Sequence, residues 1–120
     1  MSLIASIAVG LVALLHLGFL VLEMFLWTRP AGRRAFGLSR ELAQQTAALA
    51  ANQGLYNGFL AAGLLWGLLR GEAGFEIRVF FLLCVACAGV FGGLTASRKI
   101  LLVQALPGLV ALLLVVWSRS

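Results

Sequence analysis

The sequence predicts an all-α integral membrane protein, a single four-helix bundle over residues 1–120. Three observations lead there. The chain is 62% hydrophobic and only 11% charged, where a soluble domain carries about 25% charged residues. Its mean hydropathy is +1.07. Its apolar residues fall in four runs, at about 2–28, 41–69, 75–96 and 100–117. Each comes near the roughly 20 residues that carry a helix across about 30 Å of hydrocarbon. The period-two alternation of a membrane β-barrel is absent, which leaves helices as the way to satisfy the backbone in lipid.

The first run, SLIASIAVGLVALLHLGFLVLEMFLW, lacks the basic start and small-residue cleavage pattern of a signal peptide, so it reads as a mature helix. TRPAGRRAFGLSR follows, with Pro30, two glycines and four arginines, and reads as a loop. Ser39 is the expected N-cap of the second helix, and Glu41 suits its first turn. RGEAGFEIR is a short gap of mixed charge, and the SRK gap is tight enough to make helices three and four antiparallel neighbours. Cys84 and Cys87, one helical turn apart in an apolar run, read as packing residues. No cation lies near to activate a thiol, and the single histidine is in another run, so no metal site is expected.

The net charge of +5 suggests nucleic acid until the cations are placed. Arg29, Arg33, Arg34, Arg40, Arg98 and Lys99 occupy the first and third gaps, and only Arg70, Arg78 and Arg119 the opposite side. Six against three is a topology signal rather than a continuous phosphate-binding face. Loops one and three are expected in the cytoplasm, both termini on the outer side, and the chain in the cell inner membrane as a multi-pass protein.

Polar residues inside the apolar runs are the candidates for function. An ionisable group in the bilayer costs about 2.5–3.5 kcal/mol on insertion scales, so it normally faces the bundle interior and a partner. His16 and Glu23 project from one helix face, with Leu20 between them and Trp27 a turn beyond. In the second run LAANQGLYNG supplies Asn52, Gln53, Tyr56 and Asn57. Counting about 1.5 Å per residue from the loop sets Glu23 level with Asn52 and Gln53, and His16 level with Tyr56. Gln104 enters from the fourth helix, where Pro107 frees the carbonyl of Val103. The expectation is a polar pocket open to the cytoplasm, lined by His16, Glu23, Trp27, Asn52, Gln53, Tyr56, Asn57 and Gln104. The opposite faces carry small-residue ladders, Gly54–Gly58–Ala62 and Gly89–Gly93, which permit close helix approach within a monomer or between copies of a homo-oligomer.

The runs SLIASIAVGLVALLHLGFLVLEMFLW, ALAANQGLYNGFLAAGLLWG and SRKILLVQALPGLVALLL together resemble one family. It is the small bacterial integral membrane proteins catalogued as domain of unknown function 1304. The resemblance implies four transmembrane helices and no assigned reaction. Two looser likenesses suggest mechanisms. The chain resembles the small multidrug-resistance transporters in having four short helices and a membrane glutamate on the first. That likeness implies Glu23 exchanging a proton against a cation, with Trp27 and Tyr56 offering aromatic faces. VQALPGLVALL resembles the fourth helix of the trimeric membrane enzymes of eicosanoid and glutathione metabolism, although their second-helix Arg and Glu are absent here.

Binding, and with it transport, of a small amphiphilic or cationic ligand is therefore the leading expectation, with Glu23 as the proton and ligand switch. A membrane enzyme using His16, Glu23 and Tyr56 on a lipophilic substrate is the alternative, and a structural or accessory membrane protein is a third. No phosphate loop, nucleophile–base pair or metal-ligand set is present, so no cofactor is expected.

Overall fold

A computed structural model describes residues 1–119. The chain is all helical: α1 Leu3–Met24, α2 Pro30–Phe36, α3 Arg40–Leu69, α4 Phe75–Thr95 and α5 Leu106–Arg119. A 3-10 turn, Gly71–Gly74, joins α3 to α4, and a π-helical turn, Leu101–Ala105, runs directly into α5. Among the described residues three segments are long and apolar enough to cross a membrane: Leu3–Met24, Gly71–Thr95 and Leu101–Arg119. The second expected span, α3, is long enough at 30 residues but is not among these three. Asn52, Gln53 and Asn57 interrupt its apolar run. Three membrane-type helices are therefore established where four were expected.

Two boundaries correct the reading of the sequence. The first helix ends at Met24 rather than near Thr28, and the stretch expected to be a loop contains α2. The second follows from Pro30. A proline disfavours helical backbone in the residue before it, and Arg29 is extended at φ −84°, ψ 160°. Pro30 itself suits the first turn of a new helix, where its missing N–H would have had no partner. The chain closes α1 with the Leu26 N–H on the Val21 carbonyl at 3.2 Å. Gly32 then passes so close that a Cβ there would lie 1.9 Å from the Leu26 carbonyl oxygen. The expected cap of α3 is present, with Ser39 Oγ accepting the Leu42 N–H at 3.1 Å.

The chain forms two compact units, one of Leu14–Ala61 and one of Met1–Ala13 with Ala62 to the end of the chain. In the latter, α4 packs on the π-helical turn and α5 through small residues. A Cβ on Gly89 would meet the Ala105 backbone nitrogen at 2.4 Å, and one on Gly108 would meet Val85 Cγ1 at 2.7 Å. The π-helical turn precedes Pro107, where the sequence places a freed carbonyl. The Leu106 N–H reaches Leu101 O, one residue further back than in an α-helix. Leu82, Val85, Ala86, Ala111 and Val115 form the interior here, while Phe91, Leu94, Leu113 and Trp117 point outward. Large apolar side chains outside and small ones at helix contacts are the pattern of helices dissolved in lipid.

Candidate functional site

The Leu14–Ala61 unit holds Glu23, one residue before the end of α1. Its side chain is buried, 3% exposed. Two amide groups from α3 hold its carboxylate: Gln53 Nε2 donates to Oε2 at 2.8 Å, and Asn57 Nδ2 donates to Oε1 at 2.5 Å. Gln53 and Asn57 are four residues apart, so they stand one above the other on one helix face and reach both oxygens of one carboxylate. Each donor is neutral. Among the described residues no lysine or arginine pairs with Glu23.

Gly54 and Gly58 explain the short reach of those amides. A Cβ on Gly54 would fall 3.0 Å from Glu23 Cβ and 2.7 Å from Met24 Cγ, and one on Gly58 would fall 2.6 Å from Leu20 Cδ1. The small-residue ladder therefore lies beside the polar cluster, not on the opposite face as expected. It draws the α3 backbone against α1 and so brings the flanking amides to the carboxylate.

The other expected site residues are placed differently. Asn52 is exposed and is not a partner of Glu23; Asn57 takes the place expected of it. Tyr56 is 58% exposed, with its ring edge-on to Phe59 at 5.5 Å. His16 is fully buried, its ring edge-on to Phe19 at 5.3 Å. Successive residues on a helix turn by about 100°, so Asn52 and Tyr56 share one stripe and Gln53 and Asn57 the next. Depth alone does not separate them. Trp27 lies beyond the end of α1, donates Nε1–H to Thr46 Oγ1 at 3.0 Å and stacks on Phe36 at 4.8 Å between centroids. Gln104 is half-buried in the π-helical turn, in the other compact unit.

Two surface clefts are lined by residues outside the expected pocket. One is lined by Gly93–Ser97, Arg98 and Leu101, the other by Pro30, Arg33, Arg34, Gly37 and Leu38. Neither is lined by Glu23.

The sequence reading counted Arg78 only as a topology charge, but it is a second buried ion, 3% exposed. Its Nη1 donates to the Gly67 carbonyl at 2.8 Å and the Gly71 carbonyl at 2.7 Å. Gly67 lies in the last turn of α3 and Gly71 just beyond it, where carbonyls lack helical partners and the helix dipole favours a cation. The signal available was the cluster Gly67, Gly71, Gly74, which lets the chain fold closely around one side chain. Gly71 takes a left-handed φ of +59°. In the same unit the Met1 amino group pairs with Glu72, and Arg119 covers the Phe75 ring at 4.1 Å.

The family described as "Protein of unknown function (DUF1304)" matches residues 10–116. The chain belongs to that family. This DUF1304 member is also 31% identical over 115 residues to the "Uncharacterized protein YpaA" of Lactococcus lactis subsp. lactis (strain IL1403). The match covers 94% of this chain and 97% of that relative. No solved structure matches it. The family match includes Glu23, Gln53 and Asn57 as well as Arg78.

Proposed function

We propose that this DUF1304 protein binds a small cationic or amphiphilic ligand at Glu23, with a proton as the competing occupant, as a multi-pass protein of the inner membrane. One observation carries this reading: a buried carboxylate held by two neutral amides and no cation. Side-chain amides orient an anion without cancelling its charge. A proton or a positively charged group supplies what they do not. Entry of a ligand larger than a proton requires Gln53, the more exposed of the two amide donors, to swing aside.

The test is thermal stability of the detergent-purified protein against lipophilic cations at pH 6 and pH 8, in wild type and Glu23→Gln. A cation competes with a proton for one carboxylate, so stabilisation should be larger at pH 8 and vanish in Glu23→Gln. Equal stabilisation of both proteins sinks the reading. The burial of Glu23 favours a second, purely structural reading, in which the cluster only locks α1 to α3. Under it, Glu23→Gln lowers the melting point and no cation stabilises either protein.

The outer stripe of α3 supports self-association. Asn52 and Tyr56 lie exposed among Leu49, Leu55 and Phe59. An amide is both donor and acceptor, so a second copy satisfies it where lipid does not. Asn52→Leu should reduce the oligomeric mass seen by native mass spectrometry, and an unchanged mass removes this part of the proposal.

A further inference from the structure

We propose that the cleft beside α2 is a binding site for a phosphate-bearing anion, held by Arg33 and Arg34. The inference is independent of Glu23 and its ligand.

Between Met24 and Arg40 the chain carries four arginines and no acid. Pro30 starts α2, and Gly37 ends it in the left-handed region at φ +64°. That turn sends the backbone back on itself, so that the Leu38 N–H returns to the Arg33 carbonyl at 2.9 Å. The reversal leaves a cleft of about 460 Å³ lined by Pro30, Arg33, Arg34, Gly37 and Leu38. Trp27 pins this corner at both ends, through its ring on Phe36 and its N–H on Thr46.

The charges in it lack an opposite. Among the described residues no carboxylate pairs with Arg29, Arg33, Arg34 or Arg40. Arg33 Nε is shielded from solvent and has no hydrogen-bond partner. Leaving a buried donor of this kind unmade is costly, and a turn of the Arg33 side chain toward the cleft would offer it to an anion there. Guanidinium groups present planar forks that match the paired oxygens of phosphate. Two of them on adjacent residues suit a tetrahedral anion with several oxygens better than a single carboxylate. In the chain the cleft follows a membrane-length helix, α1, after a five-residue link. A lipid headgroup and a soluble phosphate compound share this chemistry, and the experiment separates them.

Full-length protein in neutral detergent is titrated with phosphatidylglycerol, with phosphatidylcholine and with inorganic phosphate at constant ionic strength, and thermal stability is read. Native mass spectrometry counts bound lipid. The proteins are wild type, R33Q/R34Q, R33K and the charge-matched control R98Q/K99Q. Saturable stabilisation by phosphatidylglycerol, weakened about 25-fold in R33Q/R34Q at about fivefold per arginine and kept in the control, identifies a lipid headgroup. The same pattern with inorganic phosphate identifies a soluble phosphate compound. R33K keeps the charge but loses the Nε donor, and should weaken binding about threefold, less than the fivefold of a whole arginine. It also serves as the reporter if R33Q/R34Q does not fold. No saturable binding in wild type, an equal loss in R98Q/K99Q, or unchanged binding in R33K would each overturn the proposal.

Discussion

Glu23 and Arg78 are both buried charges in membrane-type helices, and their partners differ in kind. Glu23 is held by two side chains, the amides of Gln53 and Asn57. Arg78 is held by two backbone carbonyls, those of Gly67 and Gly71. Backbone acceptors cannot be exchanged by substitution, so the Arg78 arrangement persists as long as the chain turns there as it does. Amide donors can be exchanged, rotated or displaced one at a time. A charge fixed by backbone belongs to the fold, while a charge fixed by neutral side chains can lose its partners one at a time.

The largest expected effect breaks the backbone-held ion. Arg78→Met leaves both carbonyls without their donor, each bond being one to a charged group worth about 1.5–3 kcal/mol. A loss of about 3 kcal/mol or more is expected in a denaturant titration in mixed micelles, and no change would remove Arg78 from the fold. Next comes Gly67→Ala, whose Cβ would lie 2.6 Å from Arg78 Cγ and 3.1 Å from its backbone nitrogen. Overpacking of that kind costs about 1–3 kcal/mol. Gly54→Ala is the matching change beside Glu23 and should cost less, because its nearest obstacle is the flexible Met24 side chain. Equal losses for the two glycines would mean that both clusters are equally rigid.

The smallest effects sharpen the comparison within the amide pair. Asn57 is buried and Gln53 is exposed. Asn57→Leu should therefore cost more stability than Gln53→Leu, within the range of about 0.6–1.7 kcal/mol measured for hydrogen bonds between membrane helices. The reverse order would show that Gln53 carries the carboxylate. If cation stabilisation at pH 8 is real, Gln53→Leu should alter ligand affinity with little change in melting point, because it opens the only exposed partner of Glu23.

The apolar runs made the membrane-type helices legible from sequence, since length and composition alone decide them. LAANQGLYNG also announced a polar cluster, and depth counting placed it level with Glu23. What the sequence reading lacked was the rotation of α3 about its own axis. Depth treats Asn52 and Gln53 as equivalent, although they lie on different stripes. The glycines carried the missing phase: Gly54 and Gly58 mark the stripe that touches α1, and Gln53 and Asn57 border it. Read as a separate structural face, they pointed the wrong way. Arg78 was hidden for another reason. Its partners are carbonyls, which every residue has, so the glycine cluster Gly67, Gly71, Gly74 was the one sign of them.

The π-helical turn at Leu101–Ala105 fits one more residue into its turn than an α-helix would. Removing one residue there would restore an α-helical turn and keep the downstream phase, whereas removing one from an ordinary turn would swing everything beyond it by about 100°. In the second case Gly108, Ala111 and Val115, the buried stripe of α5, would leave their neighbours, and outward leucines would take their place. The turn thus behaves as a held insertion, a place where chain length can change without a change of helix phase. A one-residue gap between relatives of this chain is absorbed most cheaply there, and the buried stripe of α5 keeps its neighbours.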